Sequence, residues 1–559
     1  MDFALARRAI SRRFTFRPQT LTLLASLWLV ALGNFPFWRS LWRAAGGLHA
    51  GNFFFVLTVP LFVLAWVYLL LSLLTWLRAT RTALAIVLLI SAPAGYFIDT
   101  YGILLDHSMV ANILQTHPSE ALELLSWRLW MWLAVFGVLP AALVACVGVT
   151  RTRWTRELGA KALGMAGAVV CLAVVLLVNY QSYASLLRNH RELRLMLVPS
   201  NIFAAAHGHL TRRLGAPAAL EVVGADATRA FAKARTTKPT LTILVVGETA
   251  RAANFSLNGY QRLTNPALAR QNVFSFSDVS ACGTSTAVSL PCMFLDVGRD
   301  GFKATLALRH EGLLDVLQHA GIAVRWRDNN SGCKGVCDRV PHEDLSNTHV
   351  AGLCRSDECY DEILLHGLQT YLDKQDRDTV IVLHMKGSHG PAYFKRYPAA
   401  FEIFTPACDN IQLDRCSRQA IVNAYDNTLR YTDYVLSQTI DLLRNNAEHF
   451  DTAMLYVSDH GESLGENGLY LHGLPYALAP REQIQVPMLL WLSDGLRERL
   501  HIDAMCLRAQ QQAPLSHDNL FHSILGLSNV QTAIYRPERD LFRPCRPAIA
   551  PLKQAFLAQ

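Results

Sequence analysis

Three short apolar runs rich in β-branched residues lead straight into side chains that bind metals. "TLTILVVG" (240–247) is followed by Glu248. "TVIVLHM" (379–385) contains His384 and leads to His389. "TAMLYVS" (452–458) is followed by Asp459 and His460, with His472 beyond. Carboxylate oxygens and imidazole nitrogens in this mixture suit zinc, with manganese the next fit. Singly, a Glu after a strand is more often a helix cap, and an Asp-His pair is usually a turn. Together they deliver ligands to one place three times. Nearby in sequence, "CGTSTAVSLPC" (282–292) fences three hydroxyls, Thr284, Ser285 and Thr286, between two cysteines. A hydroxyl is a poor nucleophile at neutral pH, and a metal activates it. A hydroxyl among such ligands is what phosphoryl transfer through a covalent intermediate needs. The residue types alone do not choose among the three hydroxyls.

The elements that must position these groups follow from pattern. The three runs read as buried strands, and helix-like stretches such as 311–320 and 417–444 lie between them. That alternation predicts an α/β domain with a mostly parallel sheet. In such sheets the site lies beyond the carboxyl ends of the strands. Ten cysteines follow residue 281: Cys282, Cys292, Cys333, Cys337, Cys354, Cys359, Cys408, Cys416, Cys506 and Cys545. Their number predicts disulfides in an oxidising compartment. Sequence does not fix the pairing, and near neighbours are the simplest choice. The pairs Cys333/Cys337 and Cys354/Cys359 also have the spacing of structural zinc ligands, a reading that an oxidising location disfavours.

The N-terminal third is different. The 559-residue chain is 51% hydrophobic with a mean hydropathy of +0.19, and most of the apolar excess precedes residue 182. Five candidate spans lie near 20–38, 53–77, 82–98, 128–149 and 159–180, each close to the ~20 residues that cross a bilayer. The third, with Pro93 and Gly95, is the weakest. The first lacks a convincing cleavage site and reads as a retained anchor. Arg7, Arg8, Arg12, Arg13 and Arg17 precede span one. Arg78 and Arg81 follow span two, and Arg151, Arg153, Arg156 and Lys161 follow span four. These basic loops face the cytoplasm, with Arg39 and Arg43 a minor dissent, so everything after residue 182 lies outside it. The net charge of +8 comes without a Lys/Arg tract of nucleic-acid type and fits anionic lipid. Ionisable groups are almost absent from the spans, which disfavours a transporter.

Between spans three and four, "HSMVANILQTHPSEALEL" (107–124) places Asn112 and Thr116 on one helical face. Pro118 is expected to start a new helix, so Glu120 need not share that face. On pattern alone this is an amphipathic helix with capping residues. The expected organisation is a transmembrane domain at 1–182, a connector at 183–237 with an interfacial helix near 186–197, and a catalytic domain at 238–559.

The motifs "VVGETAR", "CGTSTAVSLPCMF", "DNNSGCKG", "GSHGP" and "SDHGESLGENGLYLHG", in this order, closely resemble those of the bacterial lipid A phosphoethanolamine transferases. The resemblance covers essentially the whole chain. It implies an inner-membrane enzyme with an alkaline-phosphatase-like periplasmic domain that moves phosphoethanolamine from phosphatidylethanolamine to a phosphate of lipid A, giving polymyxin resistance. It implies zinc at Glu248, Asp459 and His460, and Thr286 as the metal-touching nucleophile. His389 and His472 would bind substrate or a second zinc, and a histidine would protonate the leaving group. Asn330, Ser331 and Lys334 would bind substrate, as would Asn112, Thr116 and Glu120, reversing the pattern reading of that loop. The family varies around Gly332 and Cys333, so the pocket there is expected to differ in detail. The expected protein is a monomer without nucleic-acid partners. The rival readings are transfer to Kdo or heptose, phosphoglycerol transfer, and a non-enzymatic membrane metal sensor. A sulfatase would need a Cys/Ser-x-Pro-x-Arg motif that the 282–292 segment lacks.

Overall fold

The computed structural model of the protein describes residues 14–44, 47, 53–75, 79–116, 118–150, 152–179, 182–183, 186, 190, 192–214, 219–229, 238–346, 348–355 and 358–547. Arg7, Arg8, Arg12, Arg13, Arg78 and Arg151 of the charge argument lie outside them, as does much of the connector. The chain divides into two compact units, one of residues 1–113, 122–211 and 467–470, the other of residues 114–121, 212–466 and 471–559.

In the first unit, four helices are long and apolar enough to cross a membrane: Phe53–Leu74, Thr80–Tyr101, Trp127–Cys146 and Trp154–Val178. A fifth span is present if the pair Pro18–Gly33 and Phe35–Ala44, bent by 60°, counts as one. That pair covers the first expected span, 20–38, with the bend inside it. At the bend sits Asn34, a buried polar residue between the two helices. Its Nδ2 donates to Leu29 O (2.9 Å) and Val198 O (2.8 Å), and its Oδ1 accepts from Val198 N (2.8 Å). A side chain that satisfies backbone groups in an apolar setting lets the helix break at low cost. A correction applies to the third span. Pro93 lies inside an unbroken helix, and Trp132 Nε1 donates to Ala92 O beside it at 3.0 Å. Helix Trp154–Val178 exposes apolar side chains such as Leu177, at 80%, as a lipid-facing helix does.

The second unit is built on an eight-stranded sheet. Its strands are β1 (Thr240–Gly247), β2 (Phe274–Ser280), β3 (Ala323–Asp328), β4 (His342–Asp344), β5 (Thr379–His384), β6 (Asp451–Ser458), β7 (Gln485–Leu492) and β8 (Leu515–Ser516), in the order β8-β2-β7-β6-β1-β5-β3-β4. β7 runs antiparallel to both neighbours, and the other pairings are parallel. β1 is buried along its whole length because strands flank it on both sides and core packs on both faces, which explains its continuous apolar run. Register then sets the chemistry. Gly247 pairs with Ser458, Val246 with His384, and Asp328 with His384. The residues just past these pairs, Glu248 and Asp459, must therefore emerge side by side at one edge. The core beneath is apolar, with Phe276, Trp326 and Phe521 fully buried.

Candidate active site

Glu248, Asp459 and His460 each present a ligand atom within 4.8 Å of one another. His460 Nδ1 donates to Gly461 O at 2.9 Å, the outward hydrogen bond that fixes the ring of a metal-binding histidine. Its Nε2 therefore turns a lone pair toward Glu248 Oε1 and Asp459 Oδ2, both at 3.3 Å. Asp459 Oδ2 is fully buried and receives no hydrogen bond among the described residues. Three buried ligand atoms converging on one point, two of them carboxylate oxygens, call for a positive charge there. The titration behaviour agrees. Burial and the Glu248 charge push Asp459 above the usual carboxylate range. Asp459 and Glu248 draw positive charge toward His460 Nε2 against the cost of burial, whether a proton or a metal ion supplies it. Burial would raise Glu248 too, yet the His460 hydrogen bond and charge, with His389 and His472, keep it below the usual carboxylate range. The donor set fits a divalent metal.

Helix Thr286–Met293 begins at this cluster. Thr286 Oγ1 lies 3.2 and 3.1 Å from the two Glu248 oxygens and 3.4 Å from His460 Nε2. Thr286 is thus the first residue of a helix, and a helix N-terminus favours bound anions. Thr284 is occupied elsewhere, its Oγ1 donating to Leu474 O at 2.5 Å. Ser285 is the residue just before the helix. The structure brings Thr286 alone of the three hydroxyls onto the cluster. The ten C-terminal cysteines pair as Cys282–Cys292, Cys333–Cys337, Cys354–Cys359, Cys408–Cys416 and Cys506–Cys545, which leaves no structural zinc pair among them.

His389 and His472 share Glu248 as a second three-ligand group, with their rings 5.5 Å apart and His472 4.4 Å from His460. The backbone carrying His389 is held close. Gly387 has φ +53°, and a Cβ there would lie 2.6 Å from Glu248 O, so a side chain is barred. Arg396 Nε donates to His389 O at 2.8 Å, and Arg396 in turn pairs with Glu358. Asn330 Nδ2 donates to Glu248 Oε2 (2.8 Å) and Met385 O (2.9 Å). Ser331 and Lys334 bind each other, Lys334 Nζ donating to Ser331 O (2.8 Å) and Oγ (3.0 Å), and Lys334 adopts a left-handed backbone (φ +52°), a conformation concentrated at functional loops. Asn112 lies on helix His107–Gln115, and Thr116 follows its end. Glu120 belongs to the next helix, Pro118–Glu123, and its side chain is outside the described residues.

Sequence reasoning missed the groups that hold these residues. Asp328, at the end of β3, accepts from Asn330 N (2.8 Å) and contacts His384 Nδ1 (2.9 Å). Its place at a strand end is the same signal that marked Asp459. Glu462 lies 2.7 Å from His472 Nδ1 and accepts from Tyr393 Oη at 2.6 Å. His517 Nε2 donates to Ser458 O (2.9 Å) while Nδ1 accepts from Cys282 N (3.1 Å). It thus ties the end of β6 to the nucleophile segment. Nothing in the sequence around His517 marks it.

The model of phosphoethanolamine transferases EptA/EptB matches residues 63–214, and the sulfatase model matches residues 240–530. Phosphoethanolamine transferase EptA of Escherichia coli (strain K12) is 44% identical over 530 residues, 94% of this chain and 96% of that relative. Phosphatidylethanolamine transferase Mcr-1 of Escherichia coli is 39% identical over 499 residues, 87% of this chain and 90% of that relative. The solved structure of the integral membrane protein lipooligosaccharide phosphoethanolamine transferase A (EptA) from Neisseria meningitidis matches with a TM-score of 0.93 at 35% identity, covering 95% of this chain and 99% of that chain. With its helical N-terminal region, its sulfatase-type α/β domain and this buried ligand cluster, the chain belongs to the phosphoethanolamine transferase EptA family.

Proposed function

We propose that the protein transfers phosphoethanolamine from phosphatidylethanolamine to a phosphate of lipid A, through a phosphothreonine at Thr286. The supporting observation is the Thr286 hydroxyl set against Glu248 and His460 at a helix N-terminus. A relative named for lipooligosaccharide supports a phosphorylated glycolipid as acceptor. In this reading residues 1–182 anchor a monomer in the bacterial inner membrane. Residues 183–237 connect them to a periplasmic catalytic domain at 238–559. Donor and acceptor are both lipids, which gives the anchor its purpose.

Glu248, Asp459 and His460 would hold one zinc ion, with His389 and His472 open to a second. Bound zinc lowers the pKa of a neighbouring hydroxyl and withdraws charge from a phosphoryl group. Thr286 Oγ1 passes its proton to the Glu248 carboxylate to which it donates and forms a bond to phosphorus as the bond to the diacylglycerol oxygen breaks. That oxygen takes a proton from His472 or His389, whose ligand nitrogens lie by Glu248. Glu462 steadies His472 for this role. A lipid A phosphate oxygen then attacks phosphorus. The bond to Thr286 breaks, and the threonine recovers its proton. Asn330, Ser331 and Lys334, and on the outer loop Asn112, Thr116 and Glu120, bind the donor. The added ethanolammonium lowers the negative charge of the envelope surface and weakens binding of polymyxins.

The test is Thr286→Ala in the full-length protein, with labelled phosphatidylethanolamine and mass spectrometry of the protein. Wild type acquires a phosphoethanolamine adduct at Thr286 and the variant acquires none, with turnover falling at least about 1,000-fold. An adduct that persists in the variant overturns the assignment.

A further inference from the structure

We propose that Arg299, stacked on Tyr476, holds the second, non-reacting phosphate of a bisphosphorylated acceptor and so selects it over a monophosphorylated one. The assignment rests on the transfer reaction proposed above. Residues 473–476 are fastened to the nucleophile segment. Gly473 N donates to Thr284 O at 2.8 Å, and Thr284 Oγ1 donates to Leu474 O. Tyr476 is two residues beyond Leu474, and Thr286 two beyond Thr284. At ~3.8 Å per residue these links place Tyr476 within roughly 20 Å of Thr286, the scale of a phosphorylated disaccharide.

The guanidinium carbon of Arg299 sits 3.3 Å from the centroid of the Tyr476 ring. Arg299 is exposed, and among the described residues no ion pair or hydrogen bond engages its guanidinium. The carboxylate beside it is already engaged. Asp518 Oδ1 accepts the backbone N–H of Arg299 at 2.8 Å, and Oδ2 faces Arg539 Nη2 at 3.9 Å. Arg539 therefore offsets the Asp518 charge, and the charge of Arg299 remains available.

A guanidinium lying on an aromatic face keeps its N–H edge free and fixed in direction. That edge matches two phosphate oxygens, so little freedom is lost when it binds. The donor does not fit this role. Its single phosphate must sit at Thr286, and its ethanolammonium would be repelled by Arg299. An acceptor with two phosphates fits, one attacking at Thr286 and one on Arg299.

The experiment uses the full-length protein in mixed micelles with labelled phosphatidylethanolamine. Wild type, Arg299→Ala, Arg299→Lys and Tyr476→Phe are compared. Three quantities are read: adduct formation without acceptor, KM and kcat on a bisphosphorylated disaccharide lipid, and the same on its monophosphorylated counterpart. Arg299→Ala is expected to form the adduct at the wild-type rate. Its KM for the bisphosphorylated lipid rises roughly tenfold or more with kcat little changed, and its KM for the monophosphorylated lipid does not move. Arg299→Lys recovers part of the difference, and Tyr476→Phe, which keeps the ring, recovers all of it. An unchanged preference between the two lipids in Arg299→Ala overturns the assignment. So does loss of the adduct in a variant that melts like wild type, since the residue would then act on the donor. Wild type without an adduct overturns the transfer reading and this assignment together, whereas an adduct with unchanged preference overturns this assignment alone.

Discussion

Two groups of ligands share Glu248, and they are built differently. Glu248, Asp459 and His460 are sealed, with Asp459 and His460 at 0% exposure, and each follows a central strand. The His389 and His472 side is open, the His472 side chain being 18% exposed, and both residues sit on connecting segments. A sealed set of two carboxylates and an imidazole is unstable without a resident cation. The open pair carries no such sealed carboxylate set and is in reach of solvent on the His472 side. The first group is thus suited to holding a cation, while the second is open to solvent. Thr286 lies against the sealed group.

The largest effect should come from the sealed side. Asp459→Asn removes one carboxylate from the set and is expected to lose both the metal and turnover, the latter by at least about 1,000-fold. Metal content by elemental analysis, read beside activity, checks this. A variant that keeps stoichiometric metal would show that the sealed group is not the resident site.

On the open side, His472→Ala should separate the two groups. Turnover is expected to fall about 100-fold, the usual scale for losing a positioned acid, while metal bound at Glu248, Asp459 and His460 stays. Equal loss of metal in His472→Ala and Asp459→Asn would erase the distinction drawn here.

A smaller effect concerns the support of the sealed side. Burial pushes His517 down to about 4, against about 6.5 for a free histidine. The unfolded chain therefore takes up this proton first as pH falls. The contribution of neutral His517 is complete above about pH 6.5 and is lost progressively toward pH 4, up to about 3 kcal/mol. Melting temperatures of the full-length protein between pH 7 and 4.5 should drop less steeply in His517→Asn than in wild type. Parallel slopes would remove His517 from this account.

The same contrast explains what the sequence disclosed. The sealed ligands were legible because strand runs are legible. β1, β5 and β6 announce themselves by apolar β-branched residues, and a ligand one step past a strand end has a fixed address. Asp328 obeys the same rule and was overlooked because β3, "AVRWRD", carries two arginines that mask its apolar face. His517 and Glu462 were not legible at all, since their partners lie far away in sequence or in a tight turn. The break at Asn34 was hidden for a similar reason. Its partner Val198 is 164 positions away, and local hydropathy registers only an apolar run.

The smallest effect is expected at Ser285, and it bears on how a hydroxyl is chosen. Ser285 precedes the helix as its cap residue, but its side chain makes no capping hydrogen bond. The bonds that start the helix come from its backbone, as Val288 N and Ser289 N both donate to Ser285 O. Replacing a serine cap usually costs about 1 kcal/mol because its oxygen satisfies a free N–H, and here that bond is absent. Ser285→Ala should therefore leave the melting temperature and the amount of Thr286 adduct close to wild type, as thermal unfolding and mass spectrometry would show. Proximity in sequence is then irrelevant to reactivity. Thr284 is spent on Leu474, Ser285 on backbone geometry, and Thr286 alone faces the sealed charge. A large loss of adduct in Ser285→Ala would mean that the two adjacent hydroxyls act together and that the sealed group does not select between them.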